Sequence, residues 1–137
     1  RVDHLFDAGF DRAAVPDGER VAVIGGGISA AQAAIALARR GPTLLVSRHA
    51  ARVHPLDADP GWLGPKYMGA FLREPCPVRR RSAVDGARHR GSVPPDVLRQ
   101  LRRAARLYEL ARATAEVEGA EAGPLGIVRL TVRRPDG

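Results

Sequence analysis

The chain has 137 residues, enough for one domain with a core, and 45% of them are hydrophobic, which excludes an intrinsically disordered chain. Its formal charge of +7 rests almost wholly on arginine, since Lys66 is the only lysine; stacking aromatics are few and no nucleic-acid motif is present, so nucleic acid is not an expected partner. The single cysteine, Cys76, excludes an internal disulfide and a C-x-x-C redox pair, and the cytoplasm is the expected compartment.

Residues 1–19 mix acids, glycines and Pro16 without periodicity and read as a lead-in, with Leu5, Phe6 and Phe10 available to dock on the domain or on a neighbour. His4 has no metal-like cluster around it, and no metal site is expected anywhere in the chain. The first residue is Arg1 rather than Met and the last three, Pro135-Asp136-Gly137, read as a turn, so the chain is expected to be a piece of a longer protein.

Residues 20–137 read as a single domain. Val21-Ala22-Val23-Ile24 is a short apolar run of strand type, followed by Gly25-Gly26-Gly27 and an alanine-rich helix beginning at Ile28. Arg39 and Arg40 suit the negative end of that helix, Gly41 offers a left-handed cap, and Pro42 prevents continuation. Thr43-Leu44-Leu45-Val46 then reads as the next strand. The 18 residues from Val21 to Ala38 carry no charge, but three successive glycines and the predominance of alanine argue against a membrane span.

Within this unit Gly25-x-Gly27-x-x-Ala30 fits the dinucleotide fingerprint. Gly25 permits the tight turn, Gly27 lets the backbone approach a pyrophosphate, and Ala30 is small enough for close helix–strand packing. A glycine motif alone is weak; its place between a strand and a helix, with a second strand after it, is the supporting context. The expected cofactor contacts are Gly25, Gly26, Gly27, Ile28, Ser29 and Ala30, where the helix N-terminus favours a diphosphate. About 20 residues further on, an acid would hold the ribose 2′-hydroxyl of NAD. Ser47-Arg48-His49 stands there instead, so the expected cofactor is NADPH, with Arg48 gripping the 2′-phosphate and Ser47 assisting.

Residues 49–94 form a long insertion punctuated by Gly and Pro. It contains a short helix over Lys66 to Leu72 and a basic helix over Val78 to His89, whose Arg79-Arg80-Arg81 run reads most simply as a solvated face. Trp62, Lys66 and Tyr67 could line a site or could pack locally; Cys76 reads as an incidental small residue between prolines. Val97, Leu98, Leu101, Ala104 and Ala105 recur at helical spacing, so residues 95–106 form an amphipathic helix with Asp96 at its favourable end. A third parallel strand is expected near 108–111, and the alternating runs Thr114 to Glu121 and Ile127 to Arg133 form a hairpin.

These pieces, the glycine loop with Ile28-Ser29-Ala30-Ala31-Gln32, Ser47-Arg48 and the long insertion with Arg52 and Asp57 to Pro60, resemble the NADPH-binding half of flavoproteins with two dinucleotide-binding domains. The likeness is to the lysine and ornithine N-hydroxylating flavin monooxygenases and related FAD/NAD(P)-binding proteins. It implies an α/β Rossmann-type three-layer domain with a parallel sheet, a long helical insertion after the second strand and an appended β-hairpin or meander. It also implies hydride transfer from NADPH to FAD and oxygen activation at the reduced flavin, with FAD held by a domain missing from this chain. The FAD fingerprint and closing strand of that family are absent from these 137 residues, so this piece alone is expected to be inactive, and none of its residues is assigned a catalytic role. Two alternatives stand beside this reading: a flavoprotein reductase serving another acceptor, and a non-catalytic nucleotide-sensing or basic interaction module.

Overall fold

The computed structural model describes residues 2–134; Arg1 and the turn expected at Pro135-Asp136-Gly137 lie outside the described residues. Strand β1 (Val21–Ile24) leads through the glycines into helix α1 (Ile28–Ala38), and strand β2 (Thr43–Ser47) follows. The insertion contributes strand β3 (Arg52–Val53), helices α2 (Pro65–Arg73) and α3 (Pro77–Ala87), and strand β4 (Ser92–Val93). Helix α4 (Pro95–Leu107), strand β5 (Leu110–Thr114) and the strands β6 (Glu116–Ala122) and β7 (Val128–Arg133) complete the chain. The parallel sheet runs β1-β2-β5, with Val23 opposite Leu45 and Thr43 opposite Leu110, while β6 and β7 pair antiparallel. This is a Rossmann-like α/β domain, with the parallel sheet, helical insertion and hairpin that the sequence implied.

The core forms where α1 and α4 cover one face of the sheet. Six of the eleven residues of α1 are buried, four of them alanines, and small side chains let a helix lie close to both a sheet and a second helix. On α4, Val97, Leu98, Leu101 and Ala104 fall at i, i+1, i+4 and i+7, and they meet Ala31, Ala34, Ile35 and Ala38 of α1 together with Val23, Leu45 and Leu110 of the sheet. The third layer is only partly closed. Val46 is buried on the opposite face, but Ala22 and Ala111 are exposed and Ile24 keeps 51% of its surface. The hairpin departs from the end of β5 instead of folding back over these residues, and both of its own faces are largely open.

Several boundaries differ from the sequence expectation. Helix α4 runs on to Leu107, so β5 starts at Leu110 rather than near 108, where pairing with Thr43 sets its register. Thr114 pairs with Ser47 in the parallel sheet, which moves the first hairpin strand to Glu116. Gly41 is not a left-handed cap, because Arg39 caps α1 in helical conformation and Gly41 is not among the glycines of positive φ. Its reason is proximity: a Cβ there would lie 2.7 Å from the Glu19 carbonyl oxygen. Arg40 likewise serves the lead-in. It pairs with Asp17 at 2.6 Å and donates to the carbonyls of Arg12 (2.9 Å) and Val15 (2.6 Å), so residues 12–18 are fastened by polar contacts. Leu5 and Phe6 do not dock on this domain, Phe6 being 75% exposed.

The insertion is closed at its base by a pairing too short to see in sequence. Arg52–Val53 and Ser92–Val93 form a two-residue parallel ladder, extended by His54 N–H donating to Val93 O at 3.3 Å. Above it Ala58 bridges Arg88, the rings of His54 and His89 stack 3.8 Å apart, and Arg88 pairs with Asp57 at 2.9 Å. Neither α2 nor α3 has a fully buried residue, so the insertion depends on this stem. No helix of the described residues is long and apolar enough to cross a membrane.

Leu101 is the largest fully buried side chain, at the contact of α4 with α1. Leu101→Ala is expected to cost about 2–5 kcal/mol in denaturant unfolding. Leu107→Ala, at a site 59% exposed, should stay within about 0.5 kcal/mol; similar losses for both would contradict this core.

Candidate functional site

The carboxyl ends of β1, β2 and β5 open onto a cleft of about 350 Å³, the place where open parallel sheets hold their ligands. Ile24, Gly25 and Gly26 line it from β1, Val46, Arg48 and His49 from β2, and Ala115, Glu116 and Val117 from the strand that follows β5. Gly91, from the far end of the insertion, closes the remaining side.

The glycine loop is shaped by backbone requirements. Gly25 has φ of 146°, which L side chains rarely adopt, and a Cβ there would stand 3.0 Å from the Cβ of Ala30. Its N–H donates to Val46 O at 2.8 Å, which ties the turn to β2. Gly27 is the N-cap residue of α1 and has no side chain to satisfy the first amides, so the positive end of the helix carries no side-chain cap. Gly27, Ile28, Ser29 and Ala30 continue from the cleft into the first turn of α1; of the expected loop contacts, Gly25 and Gly26 form the wall itself. The Cβ of a residue at Gly27 would come within 3.7 Å of Gly91 Cα, so the insertion returns against the glycine loop.

Of the residues expected after β2, Arg48 lines the cleft, is exposed, and makes no ion pair or hydrogen bond among the described residues. Ser47 is not on the wall. Its hydroxyl donates to His49 O at 2.9 Å and so fixes the turn that presents Arg48 and His49. Glu116 brings a carboxylate to the same cleft, but Arg133 pairs with it and with Glu118, at 2.7 Å for the latter. That ion-pair network, with the hydrogen bond to Glu118 as the largest contribution, raises the pKa of Arg133 above its ordinary value. The cleft is therefore left with an unpaired guanidinium, an imidazole and backbone N–H groups, a set suited to phosphate.

Trp62, Lys66 and Tyr67 do not reach this cleft. Trp62 meets Tyr67 and Phe71 with ring centroids 5.7 Å apart in both pairs, and the Lys66 ammonium lies 4.8 Å over the Tyr67 ring, so they pack on one another. The Arg79-Arg80-Arg81 run is likewise occupied locally, by Glu74, by the Phe71 ring and by Asp85. Sequence reading missed His49, Gly91, Glu116 and Val117. The three next to strand ends follow from the rule that ligands lie beyond carboxyl ends, whereas Gly91 arrives only through the β3–β4 ladder.

The fold is that of a Rossmann-like α/β domain, with the cleft at the carboxyl ends of its parallel strands. Among solved structures it is similar to L-lysine 6-monooxygenase from Pseudomonas syringae, with a TM-score of 0.59 and 15% identity over 97% of this chain. The chain spans 41% of that protein's length, and at this identity the likeness speaks for the fold alone. No protein-family model and no curated protein matches the sequence.

Gly25→Ala combines a disfavoured φ with the Ala30 contact and is expected to cost about 1–3 kcal/mol of stability. Gly64→Ala has open space and an ordinary φ of −142°, and should be within about 0.5 kcal/mol of the unaltered chain by thermal melting. Equal melting of all three proteins would remove the conformational constraint at Gly25.

Proposed function

We propose that this chain is the NADPH-binding domain of a flavin-dependent oxidoreductase, in the manner of a monooxygenase, with FAD held by a domain outside these residues. The observation that carries the reading is the combination at one cleft: a glycine turn leading to an uncapped helix N-terminus, and an unpaired Arg48 at the end of the adjacent strand. A dinucleotide diphosphate finds N–H donors at Gly26 to Ala30, while the Arg48 fork suits a 2′-phosphate better than a free ribose hydroxyl. Ser47 acts through the turn, by holding the His49 carbonyl. When bound, NADPH supplies a hydride; this chain's residues bind its phosphates, orient it along the sheet edge and keep the glycine loop open to it. The flavin half of the reading comes from the sequence resemblance to N-hydroxylating flavin monooxygenases, and the fold likeness to an L-lysine 6-monooxygenase, of which this chain spans 41%, supports it.

Calorimetric titration with NADPH and, separately, with NADH tests the reading. Selective NADPH binding is the expected result, and Arg48→Glu should then weaken NADPH by about 1.5–3 kcal/mol while leaving NADH nearly unchanged. Equal loss for both nucleotides would overturn the 2′-phosphate assignment. Retention on nucleic acid that is lost with salt, without nucleotide binding, would favour a basic interaction module instead.

A further inference from the structure

We propose that His49 is a second phosphate ligand in this cleft, donating from Nε2 to a phosphate of the bound dinucleotide and thereby making cofactor affinity depend on pH. The inference rests on the dinucleotide reading above and adds a residue to it.

The imidazole lies between two glycines drawn from distant parts of the chain. Its Cε1 is 3.2 Å from where a Cβ on Gly26 would sit, and its Nε2 is 3.1 Å from the same position on Gly91. A side chain at either glycine would press on the ring, so both are bare where the imidazole enters the cleft. Gly91 also has φ of 70°, which turns the Arg90–Ser92 segment toward the ring. His49 Nδ1 lies 2.9 Å from the Ala50 carbonyl oxygen, a distance that calls for a proton on Nδ1. In the neutral ring Nε2 then carries a lone pair, and on this cleft-lining residue it has no hydrogen-bond partner among the described residues. A fully ionised phosphate, which only accepts hydrogen bonds, can use Nε2 only after that atom takes up a proton.

The surrounding charges permit this. Arg48 stands beside His49 on the same turn and opposes the added proton, while a bound phosphate compensates both cations. From β6, the Glu116 carboxylate is held by Arg133. From the Gly91 turn, Arg90 is paired with Asp85 and the His89 ring is stacked on His54. The glycine loop contributes no titratable group.

The sign follows directly. Binding takes up a proton at Nε2, so affinity rises as pH falls. A 2′-phosphate begins to protonate near pH ~6, so the gain should level off there. Calorimetric titration of the 137-residue chain with NADPH at about pH 6.2 and about pH 8 is expected to give roughly tenfold tighter binding at the lower pH, the low end for a hydrogen bond to a charged group. His49→Gln keeps a neutral donor of similar reach and should show the weaker affinity at both pH values. In the unaltered chain, the His49 ring resonances should titrate at higher pH when NADPH is present than when it is absent, a readout that needs no variant. The same pH response in NADH assigns the contact to the diphosphate, and a response in NADPH alone assigns it to the 2′-phosphate. NADPH binding that is independent of pH, or equally dependent on it in His49→Gln, overturns the role of His49 and leaves the cofactor reading standing. No binding of either nucleotide by the unaltered chain at either pH overturns both.

Discussion

The close seating of α1 on β1 and β2 is the constraint on which the site depends. Gly25 must turn sharply enough for Ala30 to pass 3.0 Å from the position of its absent Cβ, and the alanines behind Ala30 must be small enough to sink between the sheet and α4. Helix propensity alone would accept leucines at these positions. Larger side chains would lift the helix, and its N-terminal amides would no longer converge on the strand ends. The N–H of Gly25 bound to Val46 O fixes the same turn from the other side, so β1, β2 and α1 are joined at the point where a ligand would approach. Binding geometry and core packing are one problem here.

That coupling explains which parts were legible in the sequence. The strand, glycine turn and helix of residues 21–38 are specified by neighbours a few positions apart, and α4 announces itself by the spacing of Val97, Leu98, Leu101 and Ala104. The features that sequence reading missed are set by partners far along the chain. The β3–β4 ladder joins residues some 40 positions apart with two residues on each side, too few for any alternation to register. The start of β5 is decided by Thr43, not by the local composition around Tyr108, which suits helix and strand alike. Gly41 looked like a cap because glycine after a helix usually is one, but the Glu19 carbonyl that excludes a side chain comes from the lead-in.

The charge of the chain separates in the same way. Read as composition, +7 invites an electrostatic function. In the fold most of the insertion's arginines are engaged: Arg79 by Glu74, Arg80 by the face of Phe71, Arg81 and Arg90 by Asp85, Arg88 by Asp57. These are exposed contacts of small individual worth. Their consequence is geometric, since they hold two helices without a buried residue close to the stem that carries Gly91 to the cleft. Arg48 differs from them in having no such partner, and the nearby carboxylate of Glu116 is engaged by Arg133, the residue opposite it in the β6–β7 pairing. A single positive group against neutral backbone donors discriminates between ligands better than a diffuse basic surface does.

On the proposed cofactor reading, selectivity is concentrated in one short turn. Ser47, Arg48 and His49 follow β2 consecutively, and the Ser47 hydroxyl bound to the His49 carbonyl sets the direction in which the next two side chains leave the strand. On the proposed reading the glycine loop offers donors that any diphosphate can use, so it would contribute affinity without distinguishing one nucleotide from another. Discrimination has to come from groups that meet what differs between nucleotides, and the guanidinium and imidazole of this turn are the charged or chargeable groups in the cleft without an ion-pair partner among the described residues. None of the three residues belongs to the buried cluster formed by α1, α4 and the sheet. The turn can therefore be altered with little consequence for the core, because the strands that present it are secured by their packing against α1 and α4.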